Sequence, residues 1–225
     1  MLEQAHLVQR TQRYKGLIFD MDNTILRSRI DFPAMKADIA ATLIEQAVLD
    51  RQTRVQEHTV ATLLETAKAS GRLTDAMNET LWARVADWER EGMRDAGLEE
   101  EALELLHELK SRSYALVILT NNARQAAIQA LETTRTLALF DHVLGREQMA
   151  ALKPSPSGVN AILSLYPDWA AADWLSVGDS WIDGHAAMQA GVSFVAYRSK
   201  SEEFAKRSIP ALGRLERLSE LTHFL

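Results

Sequence analysis

The chain has no cysteine, which excludes disulfides, thiolate metal sites and a cysteine nucleophile and fits a reducing compartment. Its histidines, His6, His58, His107, His142, His185 and His223, are scattered without ligand spacing, so a zinc site is not expected. His185 reads as a solvated helix residue. Basic side chains are in deficit: 25 Lys and Arg against 31 Asp and Glu give a formal charge of −6. Duplex binding relies on clustered basic residues, so the balance argues against nucleic acid as a main partner. No apolar run approaches the ~20 residues needed to span a bilayer. Residues 1–13 are polar and Gln-rich without an apolar centre, so a complete cytoplasmic chain without membrane attachment, monomer or homodimer, is expected. Internal repeats and low-complexity tracts are also lacking.

What is present is an ordinary globular composition, 47% hydrophobic and 25% charged over 225 residues, long enough for one core plus a smaller insertion. The chain is organised around Gly16-Leu17-Ile18-Phe19-Asp20-Met21-Asp22-Asn23-Thr24-Ile25-Leu26. Its first half is apolar without alternation, the pattern of a strand buried on both faces of a parallel sheet. The run stops on Asp20, a second carboxylate follows at Asp22, and Asn23-Thr24 supplies turn chemistry. Ionised carboxylates at the end of a core strand cost several kcal/mol each if unpartnered, which implies a cation.

Downstream of Leu26 the periodicity becomes helical. Phe32, Met35, Ile39 and Leu43 recur at helical steps, with Pro33 in a first turn; Val55, Val60, Leu63 and Leu64 form a second stripe closing at Ser70-Gly71. Thr74 or Asp75 caps a third, carrying Met77, Leu81, Trp82, Val85 and Trp88. These stripes are expected to hold a separate small helical core, and one or two of the Trp and Met residues could instead line a substrate cavity. From about Gly97 strands and helices alternate: a helix over 99–112, a strand over 114–119, a helix over 126–139, strands over 140–144 and 174–177, and a last strand over 194–197. The pattern predicts an α/β fold, a Rossmann-like doubly wound parallel sheet core, with an inserted all-helical cap. The expected division is a core of 1–27 and 95–225 and a cap of 28–94.

Parallel strands share direction, so their carboxyl ends bring Asp20 and Asp22, Thr120 and Asn121, and Asp179 and Asp183 to one edge, with Lys153 entering on a loop. Hard oxygen ligands of this kind select Mg²⁺, which binds through one or two carboxylates plus a substrate phosphate. An Asp carboxylate there can serve as a nucleophile. Arg27 and Arg29, leaving the first motif, and Arg124, following the second, are candidates for binding a substrate carboxylate or second phosphate, against the plainer reading of solvated arginines.

Asp20-Met21-Asp22-Asn23-Thr24, Thr120, Lys153 and Gly178-Asp179-Ser180-Trp181-Ile182-Asp183 together resemble the four ordered motifs of the haloacid dehalogenase-like (HAD) hydrolases, in their phosphatase branch. The helical insertion resembles the type 1 cap of phosphoglycolate phosphatase-like members. The resemblance implies that Asp20 attacks phosphorus and that Asp22 protonates the leaving oxygen and then activates water. It implies that Thr24 holds the loop and belongs to the phosphate-binding set, that Thr120 and Asn121 bind the phosphoryl group, and that Lys153 steadies the nucleophile. Mg²⁺ would lie on Asp20, the Asp22 carbonyl, Asp179 and Asp183. A departure is Asn23, where many relatives carry Gly; Asn tolerates the left-handed backbone nearly as well. Asp22 argues against dehalogenation, since the dehalogenases resembled here lack an acid at that step. The expected activity is Mg-dependent hydrolysis of a small phosphorylated metabolite through an aspartyl-phosphate. The alternatives are a phosphotransferase of the β-phosphoglucomutase type and a catalytically silent binding domain.

Overall fold

The computed structural model describes residues 13–199 and 201–225; the expectation for the N-terminal stretch before Arg13 falls outside them. Strand β1 (Gly16–Phe19) is the centre of the molecule. Leu17 and Phe19 face one side of the sheet and Ile18 the other, each almost completely buried, as the two-residue period of a strand requires. The chain then passes through β2 (Leu26–Arg27), α1 (Phe32–Glu45), α2 (Val60–Ala69), α3 (Asp75–Met93) and β3 (Gly97–Leu98). It continues with α4 (Ala102–Ser111), β4 (Ala115–Leu119), α5 (Arg124–Thr133), β5 (His142–Leu144), α6 (Ser157–Leu165) and β6 (Trp174–Gly178). The last elements are α7 (Trp181–Gln189), β7 (Ser193–Tyr197), α8 (Ser201–Lys206) and β8 (Arg214–Leu215).

The main sheet is parallel throughout, in the order β5-β4-β1-β6-β7-β8. The chain builds outward from β1 on one side, then crosses back and builds outward on the other. Loops leaving β4 and β6 therefore diverge on either side of β1, which opens a crevice at the carboxyl ends of these strands. Helices cover both faces, the α/β architecture expected from the alternation of elements.

Local chemistry explains the three inserted helices. Asp31 accepts from the Ala34 N–H and Pro33 occupies the first turn of α1; Thr59 and Thr74 cap α2 and α3 by accepting from the Thr62 and Met77 N–H groups. The chain leaves and re-enters the core through the antiparallel pair β2–β3, with Leu26 opposite Leu98 and Arg27 opposite Gly97. No periodic signal could reveal β2, β3 or β8, because each is only two residues long.

Some expectations need correction. The helix expected over 126–139 ends at Thr133, because Arg135 takes φ 58° and the chain resumes as a short 3-10 turn over Leu137–Leu139. The helix expected from residue 99 starts at Ala102, after Glu101 at φ 64°. The insertion has no separate hydrophobic core. Leu17 and Phe19 of the sheet, Met21, Ile25 and Ile30 of the connection, and Met35, Ile39, Leu43, Leu81 and Val85 of the helices form one contiguous apolar cluster. Deleting the insertion would expose that cluster. No helix among the described residues is long and apolar enough to cross a membrane.

A shared cluster predicts one cooperative unit. Leu43 is fully buried on α1, so Leu43→Ala should cost about 2–5 kcal/mol. In urea, far-ultraviolet circular dichroism and tryptophan fluorescence should report one coincident transition shifted to lower denaturant. A separate early transition of the inserted helices would show that they unfold on their own.

Candidate active site

The backbone leaves β1 with the Asp20 N–H still paired to the Val177 carbonyl at 2.9 Å, so the sheet delivers Asp20 rigidly to its own edge. Asn23 adopts φ 56°, the left-handed conformation that its side chain tolerates, and the turn survives without glycine. Thr24 is fully buried and its hydroxyl donates to Asp20 Oδ2 at 3.3 Å. It holds the loop, as expected, but its hydroxyl is directed at Asp20 and is not among the groups lining the cavity, which corrects its assignment to phosphate binding.

Lys153 ties the edge together. Its Nζ donates to Asp20 Oδ1 at 2.6 Å, to Asp183 Oδ1 at 2.6 Å and to the Leu119 carbonyl at 2.8 Å. Burial alone would depress the lysine pKa, but Asp183 and Asp20 more than offset this and hold the ammonium charged. Asn121 positions the lysine: its Nδ2 donates to the Lys153 carbonyl and its Oδ1 accepts from the Lys153 N–H, both at 2.9 Å. Asn121 also lines the cavity, and among the described residues the second Nδ2 N–H has no partner, so it can still meet a phosphoryl oxygen. Thr120 accepts the Asn122 N–H at 3.1 Å, which leaves its hydroxyl proton available to a ligand.

Asn122 is the functional residue that sequence reasoning missed. Its Nδ2 donates to Asp22 Oδ2 at 2.8 Å, across a separation of 100 residues. Asp22 Oδ1 and the Ser28 hydroxyl are buried beside each other, close enough for Ser28 to favour the carboxylate, but among the described residues neither makes a hydrogen bond of ordinary geometry. Burial pushes the Asp22 carboxyl up to about 6, against the lowering effects of Ser28, Lys153 and Asn122. Asp179 is raised to about 7, by burial and then by the adjacent Asp183. Asp20 is also raised, by burial first, with Lys153 opposing and Asp183, Asp179 and Asp22 reinforcing. One lysine does not neutralise four acids.

Asp20, Asp179 and Asp183 each offer a carboxylate oxygen, and these oxygens lie within 4.8 Å of one another. An all-oxygen set with surplus negative charge fits a hard divalent cation such as Mg²⁺. Asp183 also accepts the Ser180 N–H at 3.1 Å, and a Cβ on Gly178 would come within 2.6 Å of its carboxylate, so only glycine lets α7 sit this close to the end of β6.

These groups line a cavity of about 340 Å³ whose other walls come from the inserted helices, including Phe32, Met35, Lys36, Trp82, Val85 and Glu89. Trp82 is thus a cavity residue, whereas Trp88 donates to Asp38 Oδ2 at 3.1 Å within the insertion. Glu89 is buried and binds Arg146 at 2.6 and 2.9 Å, while accepting the Ala123 N–H at 3.3 Å; Trp82 lies on the Arg146 guanidinium. The pair joins α3 to the turns after β4 and β5, and no spacing in the sequence announces it.

The arginine candidates are not brought into this cavity. Arg124 turns its Nε to the Val143 carbonyl at 3.0 Å and lines a different surface groove. Arg27 and Arg29 are exposed, with Arg27 beside Gly97 on the antiparallel stem. His185 is half-buried against the Pro154 carbonyl at 3.1 Å and is not a solvated residue.

Comparison with known proteins agrees with this geometry. A family model described as haloacid dehalogenase-like hydrolase matches residues 17–197. A phosphoglycolate phosphatase of Rhodospirillum rubrum is 30% identical over 213 residues, 89% of this chain and 85% of that protein. A protein of Bacteroides fragilis described as a haloacid dehalogenase-like hydrolase superposes with a TM-score of 0.71 at 21% identity, covering 92% of this chain and 99% of its own. A Bacillus subtilis protein described as a HAD-hydrolase, with a structure bound to magnesium, gives 0.62 at 23% identity, covering 95% and 99%.

The Glu89–Arg146 pair generates a pH prediction. Burial raises the Glu89 pKa and Arg146 opposes that rise. Arg146→Met should cost about 3–5 kcal/mol near neutral pH, the penalty for leaving a buried charge unpaired. An acid whose folded-state pKa is raised destabilises the fold above its unfolded value, so the deficit should shrink as pH falls and Glu89 protonates. Urea midpoints of the variant and the wild-type protein across that range test this; a gap independent of pH would assign the loss to packing on Trp82.

Proposed function

The chain belongs to the haloacid dehalogenase-like hydrolases, and from that premise we propose that it is a Mg²⁺-dependent phosphatase acting on a small phosphorylated metabolite through an aspartyl-phosphate at Asp20. The observation that carries the reading is the placement of Asp20: a carboxylate at the end of the central strand, fixed by Lys153 and facing a cavity that Asp22 and Thr120 also line. The name of the Rhodospirillum rubrum relative makes 2-phosphoglycolate the first substrate to try.

The residues divide the work as follows. A carboxylate oxygen of Asp20 attacks phosphorus in line, the bond to the ester oxygen breaks, and Asp22 gives its proton to that departing oxygen. Asp22 is suited to this because Asn122 fixes one oxygen, while among the described residues the other makes no hydrogen bond of ordinary geometry and its burial favours the protonated form. The carboxylate left behind takes a proton from water, which attacks the phosphoryl group, frees Asp20 and releases inorganic phosphate. Thr120 donates its hydroxyl to a phosphoryl oxygen, and Lys153 holds the nucleophile in one rotamer. Asp20, Asp179, Asp183 and the main-chain carbonyl of Asp22 would hold Mg²⁺. When bound, the ion supplies charge neutralisation for the transferring phosphoryl group. The inserted helices wall the cavity and so limit water around the phosphoryl group.

With p-nitrophenyl phosphate as a generic substrate, chelation should abolish activity and added Mg²⁺ restore it. Asp20→Asn should lose on the order of 10⁴-fold or more in kcat with circular dichroism unchanged. Acid-quenched wild-type enzyme should carry phosphate on the peptide containing Asp20. Phosphate on another residue, or full turnover after exhaustive chelation, overturns the scheme.

A further inference from the structure

Lys153 has no donor left for a substrate. An ammonium carries three N–H groups, and those of Lys153 meet Asp20, Asp183 and the Leu119 carbonyl. Of the nearby arginines, Arg146 is paired with Glu89, and Arg124 lies in a different groove with its Nε on the Val143 carbonyl.

Lys36, on the first turns of α1, is different. It lines the same cavity and is half-buried, and among the described residues its Nζ has one protein partner, the His58 carbonyl at 2.9 Å. Two donors remain. The His58 contact anchors the ammonium to the wall of the cavity and limits the rotamer entropy lost on binding. The inserted helices otherwise contribute mainly apolar groups there, Phe32, Met35, Trp82 and Val85 among them, so little competes with Lys36 for a polar ligand atom. A charge-assisted hydrogen bond in such surroundings is stronger than its counterpart in water.

We propose that Lys36 is a specificity-determining residue, which makes this chain select phosphomonoesters carrying a second anionic group, a carboxylate or a further phosphate, at the end remote from the reacting phosphorus. This rests on the phosphatase reading above. The reacting phosphoryl group meets Asp20 and Thr120 at the sheet edge, and the second anion meets Lys36 on the side built by the inserted helices. A neutral alcohol in that position would leave the ammonium without a counter-charge in a partly desolvated site.

The test compares kcat/KM for 2-phosphoglycolate, ethylene glycol bisphosphate and ethyl phosphate, which share a two-carbon body and differ in the remote group. Wild-type enzyme with Mg²⁺ should favour one of the two anionic substrates over ethyl phosphate by about tenfold or more, and which one identifies the remote anion. In Lys36→Met the anionic-to-neutral ratio should fall by about ten- to a hundredfold, chiefly through KM, and Lys36→Arg should retain most of it. Lys36→Gln serves as the neutral variant should the methionine protein fail to fold. A ratio unchanged in the neutral variant, or no anionic preference in a wild-type enzyme that hydrolyses ethyl phosphate, overturns the role of Lys36. A wild-type protein that hydrolyses neither these esters nor p-nitrophenyl phosphate overturns the phosphatase reading, and this inference with it.

Discussion

The rest of the structure depends on one ammonium group. Lys153 reaches the end of β4 through the Leu119 carbonyl, the end of β1 through Asp20 and the start of α7 through Asp183, so a single charge pins three segments that the sheet brings to one edge. Without it, Asp20 and Asp183 would face each other buried and unpaired, and each buried carboxylate would cost several kcal/mol. The chain invests further in that lysine, since the Asn121 amide donates to its carbonyl and accepts its N–H. Yet the ammonium only partly compensates the acids around it, because Asp20, Asp22 and Asp179 all have raised pKa values. Negative charge in surplus at a sheet edge is the condition that a hard cation and an anionic phosphoryl group, taken together, relieve.

What could be read from the sequence follows from where the chemistry is local. Asp20 is legible because a buried strand ends on it, and Asp179 and Asp183 because a second strand ends at Gly178. Side-chain direction is not local. Asn121 and Arg124 both have the right chemistry for a phosphate, but Asn121 lines the cavity while bracing the Lys153 backbone, and Arg124 turns away to Val143. Residue type gives capability, and packing decides which partner it serves. Asn122 and Glu89 lie at the other extreme: their partners are 100 and 57 residues away, and nothing in their own neighbourhoods distinguishes them from solvated polar residues.

The inserted helices were legible as helices but not in their relation to the sheet. Amphipathic stripes state that a face is buried, not against what. Here Ile25, Ile30 and Met35 carry the apolar cluster from the face of the sheet into the helices without a break. The two-stranded stem adds only two residue pairs, so packing, not the stem, fixes how the insertion sits.

That continuity puts the chemistry and the choice of substrate under one constraint. Glu89 on α3 accepts from Ala123, which follows Asn122, and Asn122 holds Asp22. Arg146, the partner of Glu89, also donates its own N–H to the Asn122 carbonyl at 3.0 Å. The turn that aims Asp22 is therefore braced from the insertion by a buried ion pair and from the core by backbone. A substrate large enough to displace α3 would loosen the brace behind Asn122 as well as the wall beside Trp82. Size selection in this site thus need not come from steric exclusion alone: a poorly fitting ester would also meet an Asp22 that is less well held, and lose in the chemical step what it had gained in binding.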